Sequence, residues 1–400
     1  MEQGTNETQS TESAASIQLM VIAQLRRQLL DVMSIEEHEV MGPPDEVIAF
    51  RGQVHGDTEA AFEHITERFA HYDYTATLRD RPGGGHEVVA VKGVIERKPG
   101  RVWVNVALFL ATMLSTLFIG ALTDLGYTDE LMGLTDQEAM RMALTHLYRG
   151  VPFAATIMAI LVTHELSHYF VARRHGSPVS LPYFIPMPAN FIGTMGAVIV
   201  QRTPMRNRKA LFDIGVAGPL GGLIVAIPLL ILGLAYSNVQ PPPPHVDIVW
   251  QEGNSLLYLV LKYLVFGKIL PSNGEDVWLH PVASAAWAGL LITMINLIPV
   301  GQLDGGHVSY ALLGRRAQTM GRVVVAAMVA WGGWMLMSGD EAGSFWLTWA
   351  FFNLILNPRH PPPLDDATRL EGRQIILGLL VVVVFILTFM PAPLREIQLQ

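Results

Sequence analysis

After Arg101 the chain returns again and again to long apolar segments, at roughly 102–123, 150–172, 210–235, 283–312, 320–337, 343–357 and 374–391. Backbone polar groups in hydrocarbon find no water, and uninterrupted apolar runs of this length satisfy them as helices. The sixth segment is short, so six or seven crossings are expected. Composition agrees. The 400 residues are 50% apolar and only 16% charged, where a soluble protein is about a quarter charged. A formal net charge of −8, with no basic cluster interleaved with aromatics, argues against nucleic acid as a partner. Without any cysteine the chain has no disulfide, no thiol nucleophile and no thiolate ligand. A metal site must therefore use His, Asp or Glu.

The start, "MEQGTNETQSTESAAS", is polar and is not expected to be a secretory leader. Residues 1 to about 15 read as disordered, and 16–33 as a short amphipathic helix lying on the membrane or on a domain, so 1–45 forms a tail plus helix. From 46 to 100 the pattern is that of a small soluble α+β domain. "EVIAFRGQV" resembles a strand, "DTEAAFEHITERFAHY" a helix with Asp57 as N-cap, and two further strands flank a Gly-rich turn. Pro-rich breaks at 240–245 and 359–366 mark loops, and 254–270, which holds Lys262 and Lys268, reads as an interfacial helix. The fold class expected is an all-α polytopic membrane protein with a small N-terminal α/β domain.

Basic residues set the orientation. Arg97, Lys98 and Arg101 precede the first segment; Arg173, Arg174, Arg202, Arg206, Arg208 and Lys209 lie between the second and third; Arg315, Arg316 and Arg322 lie between the fourth and fifth; Arg359, Arg369 and Arg373 lie between the sixth and seventh. The intervening loops are poor in them. A multi-pass protein of a prokaryotic cell membrane with a cytoplasmic N-terminus is expected.

The second segment contains "THELSHYF". Ionisable side chains at that depth are costly and usually functional. His164 and His168 stand at i and i+4, so both imidazoles face one side of a helix and can reach one ion. Glu165 beside them can hold and deprotonate a metal-bound water, the H-E-x-x-H arrangement of zinc hydrolases. A catalytic zinc usually takes a third protein ligand. Asp213 is expected to pair with Arg208 or Lys209, Asp340 and Glu341 fall in a loop on the other side, and His307 follows a better candidate by one turn. That candidate is Asp304 in "NLIPVGQLDGGHVSY", where Pro299, Gly301, Gly305 and Gly306 break a helix. Alone, Asp304 reads equally as a helix cap.

HELSH in one apolar segment and "NLIPVGQLDGG" in a later one resemble the site-2 protease family of intramembrane zinc metalloproteases. The matching residues are His164, Glu165 and His168, then Asn296, Pro299, Leu303, Asp304 and Gly305. "FDIGVAGPLGG" (212–222) looks like the family's small-residue span, and the likeness is greatest to the branch of the ethylene-dependent gravitropism-deficient proteases. The resemblance covers about 150–314, within a transmembrane metalloprotease domain at 101–392, and no PDZ-like insertion or CBS pair is visible. It implies one Zn²⁺ on His164, His168 and Asp304, with Glu165 as general base. Asn296 offers either an oxyanion donor or a helix–helix hydrogen bond.

The stretch 181–201 is rich in proline, and in the family it is a membrane re-entrant β-loop. Gly193, Gly196, Ala197 and Val198 would form an edge strand that holds substrate backbone, or else a structural plug. The expected activity is hydrolysis of peptide bonds in or near transmembrane segments. Expected partners are membrane-anchored proteins such as tethered transcriptional regulators, the lipid bilayer, and a second copy of the chain in a homo-oligomer. A zinc or proton transporter and an inactive helix-binding scaffold are the alternatives.

Overall fold

The computed structural model describes residues 19–41, 46–93, 100–128, 130–131, 133–201, 203–241, 248–355 and 359–398. The expected disordered tail, Arg97, Lys98, Arg202 and most of the Pro-rich break at 240–245 lie outside them. The chain divides into two compact units: 1–98 with 202–211 and 361–371, and the remainder.

The smaller unit is a four-stranded antiparallel sheet in the order β1-β2-β4-β3, made of β1 (Met33–Val40), β2 (Val47–Val54), β3 (Tyr74–Asp80) and β4 (His86–Lys92). Two helices cover it. Helix α1, over 19–29, buries Ile22, Leu25 and Leu29, spaced along one face. Helix α2 (Thr58–Ala70) buries Ala61, Phe62, Ile65 and Phe69, and Asp57 Oδ2 accepts from the Ala60 amide at its start. These side chains share one core with Ile48, Phe50 and Leu78. The 1–45 segment expected to be only tail and helix thus also carries β1. Its MSIEEHEV buries Met33 alone at an edge, so no apolar alternation betrays it.

Two loops from the apolar part of the sequence complete this unit. Leu78 on β3 donates its amide to Leu364 and accepts from that of Asp366, while the Leu364 and Asp365 amides donate to Met205 and Arg206. Ion pairs join Lys209 to Glu59 and Glu371 (both 2.8 Å), Arg208 to Asp366 (2.9 Å) and Arg206 to Glu63.

The larger unit is mostly helical. Among the described residues four helices are long and apolar enough to cross a membrane: α3 (Val102–Tyr127), the Leu147–Arg174 stretch containing α5 (Val151–Arg174), α6 (Arg208–Ala235) and α10 (Arg316–Met337). A short helix, α4 (Asp136–Thr145), precedes α5. The expected fourth segment is divided into α8 (Pro281–Asn296) and α9 (Asp304–Leu313), and α7 (Leu256–Phe266), α11 (Gly343–Ile355) and α12 (Gly372–Thr388) are also short. Six or seven long crossings are therefore not what the helix lengths give. The β-structure of this unit goes beyond the expected hairpin at 181–201: among the described residues there are three two-stranded antiparallel ribbons, β5 (Tyr183–Met187) with β6 (Gly193–Val198), which is that hairpin, β7 (Asn238–Gln240) with β9 (Asp276–Trp278), and β8 (Ile248–Glu252) with β10 (Leu394–Gln398). At the β5–β6 tip, Asn190 Oδ1 accepts from the Ile192 and Gly193 amides and its Nδ2 donates to Thr194 O.

Candidate metal centre

Helix α5 has no glycine inside it and runs unbroken past His164 and His168, which sets both rings on one face 4.8 Å apart. Their Nε2 atoms are 3.1 Å apart. His168 Nδ1 lies 2.7 Å from Ile214 O on α6. A carbonyl only accepts, so Nδ1 carries the proton and Nε2 is left with a lone pair aimed at His164.

The third group arrives from the break between α8 and α9. Residues 297–303 are not helical, Gly301 has φ +56°, and Asp304 opens α9 in its first turn. Gly305 is required for this path, since a Cβ there would stand 2.1 Å from Leu297 O. The Asp304 carboxylate thereby reaches both imidazoles, Oδ2 to His164 Nε2 and Oδ1 to His168 Nε2, each at 3.2 Å. Oδ2 nevertheless has no aligned hydrogen-bond partner.

Bonds of about 2.0–2.1 Å to a tetrahedral ion set its ligand atoms about 3.3 Å apart. The observed separations of 3.1 to 3.2 Å match, and the donor set of two imidazoles and one carboxylate, without sulfur, suits zinc. Among the described residues this trio is the group of His, Cys, Asp and Glu side chains able to hold a metal ion.

Glu165, next to His164 in the chain, is buried at 5% exposure. Asn296, the last residue of α8, brings Nδ2 to 3.4 Å from His164 Nε2. Gly193, Gly196, Ala197 and Val198 are on β6, outside the trio. Gly193 (φ +80°) and Gly196 (φ +91°) bend the strand, and Ser115 Oγ donates to Gly193 O. Asp213 does not pair with Arg208 or Lys209 as expected: His175 Nε2 lies 3.0 Å from its Oδ2, while those two cations hold carboxylates of the smaller unit. His307 faces His360, Nδ1 to Nε2 at 2.6 Å, and is not a member of the trio. Asp340 pairs with Arg395.

Two contributors were not read from the sequence. One is the Ile214 carbonyl, which carries no side-chain signature. The other is Gly218, where a Cβ would fall 2.0 Å from His168 Nε2; the run "GVAGPLGG" does announce a close helix approach, but not against which ring.

Comparison with known proteins agrees with this geometry. The model of peptidase family M50 matches residues 152–338. The probable zinc metalloprotease EGY2, chloroplastic, of Arabidopsis thaliana is 28% identical over 356 residues, covering 86% of this chain and 60% of that protein. Its Oryza sativa subsp. japonica counterpart is 29% identical over 356 residues, with 86% and 61% covered. The probable zinc metalloprotease EGY1, chloroplastic, of Arabidopsis thaliana is 27% identical over 390 residues, with 89% and 68% covered. The chain thus spans about three-fifths of the length of the EGY2 relatives. No solved structure matches it. These plant proteins correct the expected location, pointing to a chloroplast membrane and not to a prokaryotic cell membrane with a cytoplasmic N-terminus. The segment that matches peptidase family M50 thus encloses HELSH, LDGG and the His–His–Asp trio they form.

Proposed function

We propose that the chain is an intramembrane zinc metalloendopeptidase, cutting peptide bonds in or near transmembrane segments of membrane-anchored proteins. The observation that carries this reading is the convergence of His164, His168 and Asp304 from two distant helices, with Glu165 adjacent. These three residues would hold one zinc ion. When bound, it supplies Lewis-acid polarisation of the scissile carbonyl and a more acidic water. The Ile214 carbonyl keeps His168 in the tautomer that presents Nε2 to the centre. Glu165 accepts the water proton at its carboxylate and delivers it to the departing amine nitrogen. Asn296 Nδ2 is placed to donate to oxygen charge developing at the substrate carbonyl.

A helical substrate hides its peptide bonds and must be held extended. Strand β6 pairs with β5 only, among the described strands, and leaves its other edge for substrate backbone. Gly196, Ala197 and Val198 provide that edge, and Gly193, whose amide and carbonyl are held by Asn190 and Ser115, anchors its start. Six spans arise if α8 and α9 cross together and α12 crosses, and α11 would make a seventh. The substrates are membrane-tethered regulators in the bilayer with the enzyme.

Purified wild type and Glu165→Gln, each reconstituted with a membrane-anchored reporter library, test the reading. Both should hold one zinc per chain, and fragment release should fall about 10²–10⁴-fold in the variant. Equal release from the two, scored by quantitative mass spectrometry, would overturn it.

A further inference from the structure

A cavity of about 820 Å³ opens beside the hairpin tip, away from the metal trio. Ile119, Leu122, Phe153, Phe191, Trp278 and Trp287 give it apolar and aromatic walls, and Ala189 and Asn190 of the hairpin tip complete one side. Its polar groups include two carboxylates, Glu252 and Asp276, and no Lys or Arg lines it among the described residues. Lys262, fully buried behind them, lies 4.0 Å from Glu252 and 3.7 Å from Asp276 without hydrogen-bonding either. Tyr258 Oη donates to Glu252 Oε1, and Gln251 Nε2 to Asp276 Oδ2. Two carboxylates against one ammonium leave the cavity with a surplus negative charge when both are ionised.

Its place along the helices fixes what could reach it. Phe153 and His164 are eleven residues apart on α5, which at 1.5 Å per residue is about 16 Å. An extended chain covers that distance in about five residues. The hairpin provides the track: Phe184, paired with Ala197, packs edge-to-face against Phe109 at 5.3 Å, Gly193 is held by Ser115 further along α3, and the tip beyond it is cavity wall.

We propose that this cavity is a subsite for the substrate segment leaving β6, seating apolar side chains against Trp278 and Trp287 and one Lys or Arg side chain against Glu252 and Asp276. The proposal rests on the peptidase reading, and it names the substrate class: membrane-protein segments with a basic residue about five positions from the cut bond. Complementary charge in a largely apolar cavity gives selectivity, because a neutral or acidic residue leaves the carboxylates uncompensated. Burial pushes the Glu252 carboxyl up to about 7, with Lys262 opposing and Asp276 reinforcing that shift. Glu252 lies outside the candidate spans. Below that pH it is neutral and above it charged, so cation binding strengthens as pH rises from 6 to 8.

The test uses zinc-loaded full chain carrying Glu165→Gln in lipid nanodiscs. The probe is an acetylated hexapeptide of Leu, Ala and Phe bearing one photo-leucine and ending in Lys, Gln or Glu amide. Crosslinks of the Lys probe should map to 119–127 or 276–287, with affinity about tenfold above the Gln probe and higher at pH 8 than at pH 6. Asp276→Asn and, separately, Glu252→Gln should each erase most of that ratio while thermal melting confirms a folded chain. Equal labelling by the Lys and Gln probes, or crosslinks elsewhere, would overturn the subsite. Because these variants bind without cutting, that failure is separate from a failure of the peptidase reading, which shows as Glu165→Gln still releasing fragments.

Discussion

At Gly218 one added methyl group would occupy the space of the His168 ring, 2.0 Å from the Nε2 proposed to bind the metal. Real contacts do not become so short, so Gly218→Ala must turn the His168 ring or move α6, and with it the Ile214 carbonyl. Zinc affinity should fall about 10–100-fold, the range seen when groups that orient a metal ligand are disturbed. Competition with a chelator of known affinity measures it, and helical content by circular dichroism should stay near that of wild type. The proposed ligands His164, His168 and Asp304, and Glu165 beside them, stood out because charge in an apolar run is conspicuous and they had few rivals once cysteine was absent. What holds those ligands was not legible. A backbone carbonyl has the same sequence appearance everywhere, and a glycine reports closeness without naming its neighbour.

Elements with a strong local signal were readable to within a few residues. Helix α2 is one, since Asp57 closes its first turn and its buried residues recur on one face. Asp57→Ala should lower the stability of the smaller unit by about 0.5–2 kcal/mol, read as a shift in its thermal or urea transition. The division between α8 and α9 was also foreshadowed by Pro299 and the glycines of LDGG. Strand β1 was not, because an edge strand with one buried side chain leaves no alternation to read. The β7–β9 and β8–β10 ribbons escaped for a different reason. They are three to five residues long, and β8 finds its partner only near the end of the chain. Pairing at that sequence distance is decided by the helices that bring the strands together.

For the molecule as a whole, hydropathy and loop charge predicted many crossings, whereas four helices among the described residues are individually long enough. Whether α8 and α9 cross as a pair can be decided directly, because these 400 residues contain no cysteine to confuse labelling. Lys268→Cys lies before α8 and Arg315→Cys after α9, both at exposed positions. In sealed vesicles a membrane-impermeant maleimide should modify one and spare the other until detergent is added. Equal protection or equal labelling would mean that the pair enters and leaves on one side. Loop charge could orient the chain but not name its membrane, since arginine counts distinguish two faces and not two organelles. That is why the chloroplast relatives, and not the sequence, corrected the location.

The glycine-lined helix α6 has a consequence for handling the protein. Five glycines and two prolines among its 28 residues make it, in water, a helix disfavoured by on the order of 10 kcal/mol against an alanine-rich one. It persists because hydrocarbon offers its amides no competing water and because neighbouring helices fill its notches. Solvents that hydrate the protein interior, short-chain detergents above all, should therefore loosen α6 before its neighbours. The same helix carries the carbonyl that orients His168 and the notch that admits its ring. Loss of metal during purification would then report a frayed helix well before the rest of the fold gave way.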